Sequence, residues 1–284
     1  TIFSKILNMY VDNNIGMPAI EIMIISSILK KNHKVHYTRN IDDNEIKDCD
    51  FVILPSSIIA HETEVLSLSK LKDKKVFVTG IFANTLKDKY LKDHSIVVKN
   101  ESDTFFYNLD KSGKLNKEFL ESLFLNKDGI NDFYSQVSLD DLPYPDWGSY
   151  SKKYPLRNNF FSINEKIAIP LLGTRGCPYS CFNYCTYPLQ QGRKVRARSV
   201  ENIINEIKYW QKELGANKFV FRDPVFSINR KHTIQFCNEV INQKLNISFM
   251  VETHLNNLDD EMIGLLKSAG LELVYVGVES SSHV

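Results

Sequence analysis

The sequence lacks several features that would place it in an obvious class. Its longest mostly apolar run, residues 17–29, is interrupted by Glu21 and is too short to cross a bilayer. No basic segment followed by an apolar core opens it, so no secretory signal is visible. It has no internal repeat and no low-complexity segment. We therefore expect a cytoplasmic protein that does not bind membranes.

The sequence also has little net charge. Its 35 Lys and Arg residues nearly balance 34 Asp and Glu residues, which leaves a formal charge of +1. This balance gives no electrostatic reason to expect nucleic acid as the main partner. Apolar residues make up 43% of the 284 residues, which is enough for one large or two ordinary domains with buried cores.

Three of the five cysteines, Cys177, Cys181 and Cys185, lie within nine residues. Such clustering does not indicate a disulfide framework, and it fits a reducing compartment. Three thiolates can hold an iron–sulfur cluster and leave one iron open to a small molecule, whereas electron-transfer clusters normally have four. Two alternatives remain: a buried trio of reduced cysteines, and a zinc site with His254 as a fourth ligand.

Residues 1–125 alternate short apolar segments with helical patterns. This alternation predicts an α/β domain with a doubly wound parallel sheet. The predicted strands are 6–11, 34–38, 51–54, 75–79 and 95–99, and the predicted helices are 18–31, 62–71 and 85–91.

Residues 126–160 break this alternation and are predicted to form a linker. Leu142, Tyr144 and Trp147 surround two prolines there, which indicates a segment pinned to a surface by apolar side chains. Cys49 and Cys237, outside the linker and the cysteine cluster, are predicted to pack in the two domains.

Residues 161–284 are predicted to form a second strand–helix domain. The predicted strands are 167–172, 219–221, 247–251 and 272–278, and the predicted helices are 200–214, 231–242 and 259–269. Ser199 suits the N-cap of the first of these helices, and Gly270 suits the end of the last. The sequence ends on a strand with no covering helix, so we expect it to be part of a longer protein.

The segment 175–185, Arg-Gly-Cys-Pro-Tyr-Ser-Cys-Phe-Asn-Tyr-Cys, resembles the cluster loop of the radical S-adenosylmethionine (SAM) superfamily. Further similarities follow at 196–206, 221–226, 252–254 and 277–280. The resemblance implies an incomplete radical SAM (β/α) partial barrel, with a 4Fe–4S cluster on Cys177, Cys181 and Cys185. It also implies that S-adenosylmethionine binds the fourth iron and that a donor such as flavodoxin or ferredoxin supplies an electron. A 5′-deoxyadenosyl radical would result.

The same resemblance implies roles for five other residues. Tyr184 would pack near the adenine, Asp223 would hold the amino group of S-adenosylmethionine, and Arg198 would hold its carboxylate. Glu252 and Glu279 would bind its ribose hydroxyls or its amine. Simpler roles remain open, because Tyr184 can be a loop-packing residue, Asp223 a turn residue and Arg198 part of a solvated basic face.

One departure from the family concerns the spacing of the cysteines. The usual spacing is C-x3-C-x2-C, and this sequence has C-x3-C-x3-C, with Phe182 or Asn183 as the extra residue. A loop can bulge by one residue and still bring three sulfurs to a cluster. The alternative is a non-catalytic descendant that acts as a binding module.

The order of an α/β domain, a Pro-rich linker and a cysteine loop resembles the cobalamin-dependent branch of the family. In that branch the first domain, cobalamin-binding-like here, binds the cofactor at its strand ends. This implies methyl transfer to carbon. The D-x-H-x-x-G motif is absent, so a cobalamin-independent rearrangement, cyclisation or sulfur insertion stays open. The substrate, a small molecule or a peptide, cannot be read from the sequence.

Overall fold

A computed structural model describes residues 19–57, 60–154, 156, 167–181 and 185–277. The chain divides into two compact units. The first unit comprises Glu21–Asp146 and Ser180–Gly192, and the second comprises Thr1–Ile20, Trp147–Tyr179 and Arg193–Val284. The division at Asp146 falls inside the predicted linker. The finer domain bounds, 1–125, 126–160 and 161–284, stay predictions.

The first unit is built on a parallel sheet of three described strands, in the spatial order in which they occur in the chain. They are β1 (Phe51–Pro55), β2 (Lys75–Thr79) and β3 (Ser95–Val97). The helices of this unit are α1 (Ile20–Leu29), α2 (Asn44–Lys47), α3 (His61–Lys70), α4 (Ile81–Thr85), α5 (Lys87–Tyr90), α6 (Ser102–Lys111) and α7 (Lys117–Leu125). Two 3-10 helices, Lys127–Phe133 and Leu139–Asp141, follow.

Both faces of this sheet are covered, as the central strand shows. Val76 and Val78 of β2 are fully buried in one apolar cluster. Phe77, between them, lies on the opposite face and contacts Phe106 and Phe124 edge-on, with ring centroids 5.5 and 5.1 Å apart. Because successive side chains of a strand alternate between faces, the β2 sequence Lys-Val-Phe-Val-Thr suits a sheet buried on both sides.

The sequence prediction is confirmed for an α/β unit with parallel strands and fails in two details. No strand is present at 34–38; there Tyr37 donates a hydrogen bond to Asp146 and His36 lies 3.3 Å from Glu45. Side-chain contacts, rather than the backbone hydrogen bonds of a sheet, hold this segment. The predicted helix 85–91 is instead α4 followed by α5. The predicted strand 6–11 lies outside the described residues, and the doubly wound strand order stays a prediction.

The proline-containing segment before Trp147 is pinned as predicted. Leu142 and Trp147 are buried, and Tyr144 is half-buried. Asp146 binds α1: its Oδ2 accepts hydrogen bonds from Ser26 at 3.0 Å and from Tyr37, and it lies 2.5 Å from Lys30 Nζ. Burial, then the hydrogen bond to Asp146, raises the pKa of the Tyr37 phenol.

The second unit contains a parallel sheet of four strands in the order β4, β7, β8, β9. In chain order the remaining elements are α8 (Trp147–Lys153), β4 (Ala168–Leu171), β5 (Thr174–Arg175), α9 (Tyr187–Gln191), β6 (Arg196–Ala197), α10 (Val200–Leu214), β7 (Lys218–Phe221), α11 (Arg230–Asn242), β8 (Ser248–Thr253), α12 (Asp260–Ser268) and β9 (Leu271–Val276). Of these, α9 is grouped with the first unit. None of the described helices is both long enough and apolar enough to cross a bilayer.

The strands of the second unit agree with the predicted ones to within about two residues at most ends. Phe221, Phe236 and Phe249 pack edge-on between the sheet and α11, with centroids 5.3 to 5.6 Å apart. The Ser199 hydroxyl accepts a hydrogen bond from Asn202 N, so the predicted N-cap is confirmed. Gly270 has φ +104°, and a Cβ there would lie 2.4 Å from the carbonyl oxygen of Ile247, so only glycine fits.

We predict that Asp146→Ala lowers the free energy of unfolding by about 2–3 kcal/mol, because it leaves partly buried donors on α1 without their acceptor. The measurement is urea denaturation followed by far-UV circular dichroism. Asp141→Ala, in the same segment but at an exposed position, is the matched control and is expected to unfold like the wild type. Equal midpoints for the two variants would contradict the anchoring role.

Candidate functional site

The cysteine loop begins at the carboxyl end of β4. Its first residues form β5, which pairs antiparallel with β6 through Thr174 with Ala197 and Arg175 with Arg196. Asp223 follows β7, and Glu252 is the penultimate residue of β8. Since the carboxyl ends of neighbouring parallel strands share one edge of a sheet, the start of the loop and both carboxylates lie along the same edge.

Gly176 fixes the path of the loop just before Cys177. Its φ is +89°, a conformation that favours glycine. A Cβ at this position would lie 2.2 Å from the carbonyl oxygen of Lys194. The two backbone segments can therefore approach this closely only because residue 176 has no side chain.

The three clustered cysteines have different environments. Cys177 is buried, whereas Cys181 and Cys185 are half-exposed, and none of the chain's five cysteines, all within the described residues, forms a disulfide. Across the described ranges, no three His, Cys, Asp or Glu side chains are gathered closely enough to hold a metal ion. The donor set still fits an iron–sulfur cluster, because three thiols unbound to other sulfurs lie on one short segment. The ligand assignment therefore stays a prediction.

Asp223 binds the first residues of the loop. Its Oδ1 accepts a hydrogen bond from Gly173 N at 2.7 Å, and its Oδ2 accepts one from the Thr174 hydroxyl at 2.8 Å. Asp223 is 1% exposed, and burial raises the pKa of its carboxyl group to about 7 against these hydrogen bonds. A role toward S-adenosylmethionine stays a prediction; the observed contacts position the loop.

Arg198 is part of a buried ion pair. Its Nη1 lies 2.5 Å from Glu206 Oε2 and donates to the Leu172 carbonyl at 3.0 Å, and its Nε donates to Asn202 at 2.9 Å. Glu206 is fully buried and also accepts a hydrogen bond from Trp210 Nε1 at 3.2 Å. The predicted contact of Arg198 with a ligand carboxylate stays a prediction.

The other predicted site residues are only partly covered by the described residues. Glu252 is half-buried and forms an ion pair with Arg222 at 3.0 Å. Tyr184 and Glu279 lie outside the described residues. The roles predicted for these three residues in binding S-adenosylmethionine therefore stay predictions.

The sequence interpretation missed two contacts of this site. One is the Thr174 hydroxyl, whose contact with Asp223 joins residues of distant sequence. The other is the column Arg198, Asn202, Glu206 and Trp210. The spacing of four residues places Asn202, Glu206 and Trp210 on one face of α10, and Arg198 precedes the N-cap Ser199. This spacing could have been read from the sequence.

The region that contains the cysteine loop matches a known protein family. Residues 171–283 match the family described as the Radical SAM superfamily. The chain contains a radical SAM domain. The match begins at the last residue of β4 and includes the cysteine loop, Asp223 and Glu252.

Curated relatives extend this similarity beyond the radical SAM domain. An uncharacterized methyltransferase of Pyrococcus horikoshii is 28% identical over 146 residues, which cover 51% of this chain and 30% of the relative. An anaerobic magnesium-protoporphyrin IX monomethyl ester cyclase of Cereibacter sphaeroides is 25% identical over 247 residues, which cover 82% of this chain and 39% of the relative. The chain thus spans well under half the length of these relatives.

A solved structure resembles both parts of the chain. The radical S-adenosylmethionine methyltransferase TsrM of Kitasatospora setae, solved with cobalamin and a 4Fe–4S cluster bound, aligns with a TM-score of 0.60 and 13% identity. The alignment covers 94% of this chain and 59% of TsrM. At this identity the likeness supports the fold: an α/β unit with a parallel sheet and a radical SAM partial barrel.

We predict that Gly176→Ala prevents the radical SAM domain from holding its normal complement of iron, because the new Cβ collides with backbone that cannot yield cheaply. Gly192→Ala is the matched control. Gly192 also has a positive φ, +79°, but a Cβ there would meet nothing within 4 Å. The control is expected to cost only backbone strain, about 1 kcal/mol. Iron per chain after anaerobic reconstitution is the measurement, and equal loading of both variants would contradict the prediction.

We predict that Asp223 makes a contribution to stability that falls as pH rises from about 4 to about 7, and that Asp223→Asn removes this contribution from the pH dependence. The pKa of Asp223 is about 7 in the folded protein and about 3.9 when unfolded. The folded state therefore binds more protons between these values, so the contribution of Asp223 to stability is highest at the acidic end. Urea midpoints at several pH values test this. Asp259→Asn is the control of opposite sign, because the pKa of that exposed carboxyl is lowered and its contribution to stability rises with pH. This variant should not flatten the decline. An unchanged slope in Asp223→Asn would refute the prediction.

Proposed function

We propose that this chain belongs to a cobalamin-dependent radical SAM enzyme that transfers a methyl group to an unactivated carbon. The observation that carries the proposal is the three-cysteine loop at the carboxyl edge of a parallel sheet, within the region that matches the radical SAM family. The unit with a parallel sheet that precedes it, and the likeness to a methyltransferase solved with cobalamin, support methyl transfer.

In this proposal Cys177, Cys181 and Cys185 ligate a 4Fe–4S cluster. When bound, the cluster supplies the electron that cleaves S-adenosylmethionine to a 5′-deoxyadenosyl radical. Asp223 holds the start of the loop through Gly173 and Thr174.

In this proposal two glutamates, one arginine and one tyrosine orient S-adenosylmethionine. Glu252, at the carboxyl edge of the sheet, and Glu279 bind the ribose hydroxyls or the amino group of S-adenosylmethionine. Arg198 binds the carboxylate of S-adenosylmethionine. Tyr184 packs against its adenine.

The glycine after β2 bears on whether the described part of the first unit has room for cobalamin. Gly80, after β2, has φ +94°, and a Cβ there would lie 2.7 Å from the backbone oxygen of Ser56. The Ser56 hydroxyl accepts a hydrogen bond from Ala83 N at 2.8 Å. This glycine therefore accommodates the neighbouring strand end rather than a ligand. The proposal that cobalamin binds rests on the comparisons and on the domain order.

A second candidate function is cobalamin-independent radical cyclisation. The similarity to a cyclase that extends over 82% of this chain favours cyclisation, and it does not bear on the use of cobalamin. The two candidates use the same cluster loop and differ in whether a methyl carrier is needed. Measured cobalamin affinity separates them, since submicromolar binding supports methyl transfer and no binding supports cyclisation.

Radical SAM enzymes need a reductant, and we propose flavodoxin or ferredoxin as the electron donor. A reducing, cytoplasmic location fits five cysteines without a disulfide. The small net charge gives no reason to propose nucleic acid or a membrane surface as a partner.

The test of the proposal is anaerobic reconstitution with iron and sulfide. We expect about four irons per chain and a reduced-state EPR signal that changes when S-adenosylmethionine is added. Cys177→Ala should lose most of this iron. Cys237→Ala is the matched control, because Cys237 is a buried thiol in α11, far along the chain from the loop.

Three outcomes would count against the proposal. Absence of iron in folded wild-type protein would refute it. Iron with no response to S-adenosylmethionine would favour the non-catalytic binding module. Equal iron loss from Cys177→Ala and Cys237→Ala would show that the loop is not the ligand set.

A further inference from the structure

Tyr179, between Cys177 and Cys181, is held at three points within the second unit. Its ring stacks on the imidazole of His254, with centroids 4.8 Å apart and planes 28° from parallel. Its hydroxyl donates a hydrogen bond to Asn257 Oδ1 at 3.3 Å. Its carbonyl accepts one from Arg193 Nη1 at 3.1 Å. The hydroxyl, the ring face and the backbone carbonyl of Tyr179 are therefore each held by another segment.

His254 lies directly after β8 and begins the 3-10 turn Leu255–Asn257. Its Nδ1 accepts a hydrogen bond from Asn256 N at 3.2 Å. A neutral imidazole with Nδ1 as acceptor carries its proton on Nε2, so neither nitrogen has a lone pair left for a metal ion. The observed arrangement suits a stacking partner better than a zinc ligand.

We propose that Tyr179 and His254 are a pair of positioning residues that hold the turn between Cys177 and Cys181 against the end of β8, and that His254 is not a metal ligand. This inference rests on the proposed function of the loop as the cluster site. Neither Tyr179 nor His254 contributes a ligand atom; both act by restraining the turn.

The physical reason is the cost of ordering a short loop. Holding two thiolates at a fixed separation requires the backbone between them to give up its conformational freedom, and this loss of entropy opposes cluster assembly. Pro178 already restricts one residue of the turn. The stacked ring restrains the next residue, because an offset aromatic pair favours a defined geometry. The turn is then largely ordered before a cluster assembles.

The experiment compares His254→Phe with His254→Ala. Phenylalanine keeps a ring for stacking but has no nitrogen to bind a metal. We expect His254→Phe to retain wild-type iron loading, and His254→Ala and Tyr179→Ala to lose iron to a chelator roughly threefold to tenfold faster. Tyr179→Phe, which loses only a long hydrogen bond, should behave nearly like the wild type.

A second readout does not depend on iron. In iron-free protein, hydrogen exchange of the backbone amides at residues 179–181 should accelerate by a similar factor in His254→Ala and Tyr179→Ala and stay unchanged in His254→Phe. Tyr209→Ala is the control, since it removes another aromatic contact, that of Tyr209 with Trp210, from α10. It should alter neither readout.

The outcomes separate this inference from the proposed function. Loss of iron in His254→Phe as severe as in His254→Ala would make His254 a ligand and overturn the inference. Unchanged amide exchange in all variants would also overturn it. Wild-type protein that binds no iron would refute the proposed function, while the exchange data would still decide whether the pair orders the turn.

Discussion

The buried carboxylate of Asp223 is the contact on which the arrangement of the cysteine loop depends. It binds Gly173 and Thr174, the residues that leave β4, from its own position after the neighbouring strand β7. Gly173 is also held from the other side, because its carbonyl accepts a hydrogen bond from Arg198 N at 2.9 Å. The loop therefore starts at a fixed point, and the glycine at 176 then allows it to pass close to Lys194.

This support has an energetic cost that the helix α10 offsets. A carboxylate buried beside the loop and an ion pair of Arg198 with Glu206 are each expensive to remove from water. Side chains of α10 satisfy the ion pair: Glu206 receives hydrogen bonds from Arg198 and Trp210, and Asn202 receives another from Arg198. Asp223 is satisfied instead by Gly173 and Thr174. The chain thus uses polar contacts of defined direction, rather than apolar packing alone, at the point where the loop must be placed accurately.

Local patterns predicted much of the fold and less of the site. Residues 76–78 and 219–221 are apolar throughout, so their strands were predictable, and Ser199 marked the start of α10. Residues 34–38 alternate polar side chains with Val35 and Tyr37, which also predicts a strand. A strand needs a hydrogen-bonding partner as well, however, and no local pattern reveals one. The position of Asp223 at a strand end was predictable. That it points toward Thr174 depends on a tertiary contact between distant segments.

The clustered cysteines have the spacing C-x3-C-x3-C, one residue longer than the family's usual C-x3-C-x2-C. The close backbone approach at Gly176 lies just before Cys177, and the contacts of Tyr179 lie in the first interval, which keeps the family's three-residue spacing. The extra residue falls in the second interval, between Cys181 and Cys185. Beyond it, Gln190 donates a hydrogen bond to Glu21 at 2.8 Å, which fixes the helix that follows Cys185. The supports described within each unit involve no residue between Cys181 and Cys185, so they do not depend on the length of that interval. The spacing alone is therefore a weak argument against a cluster.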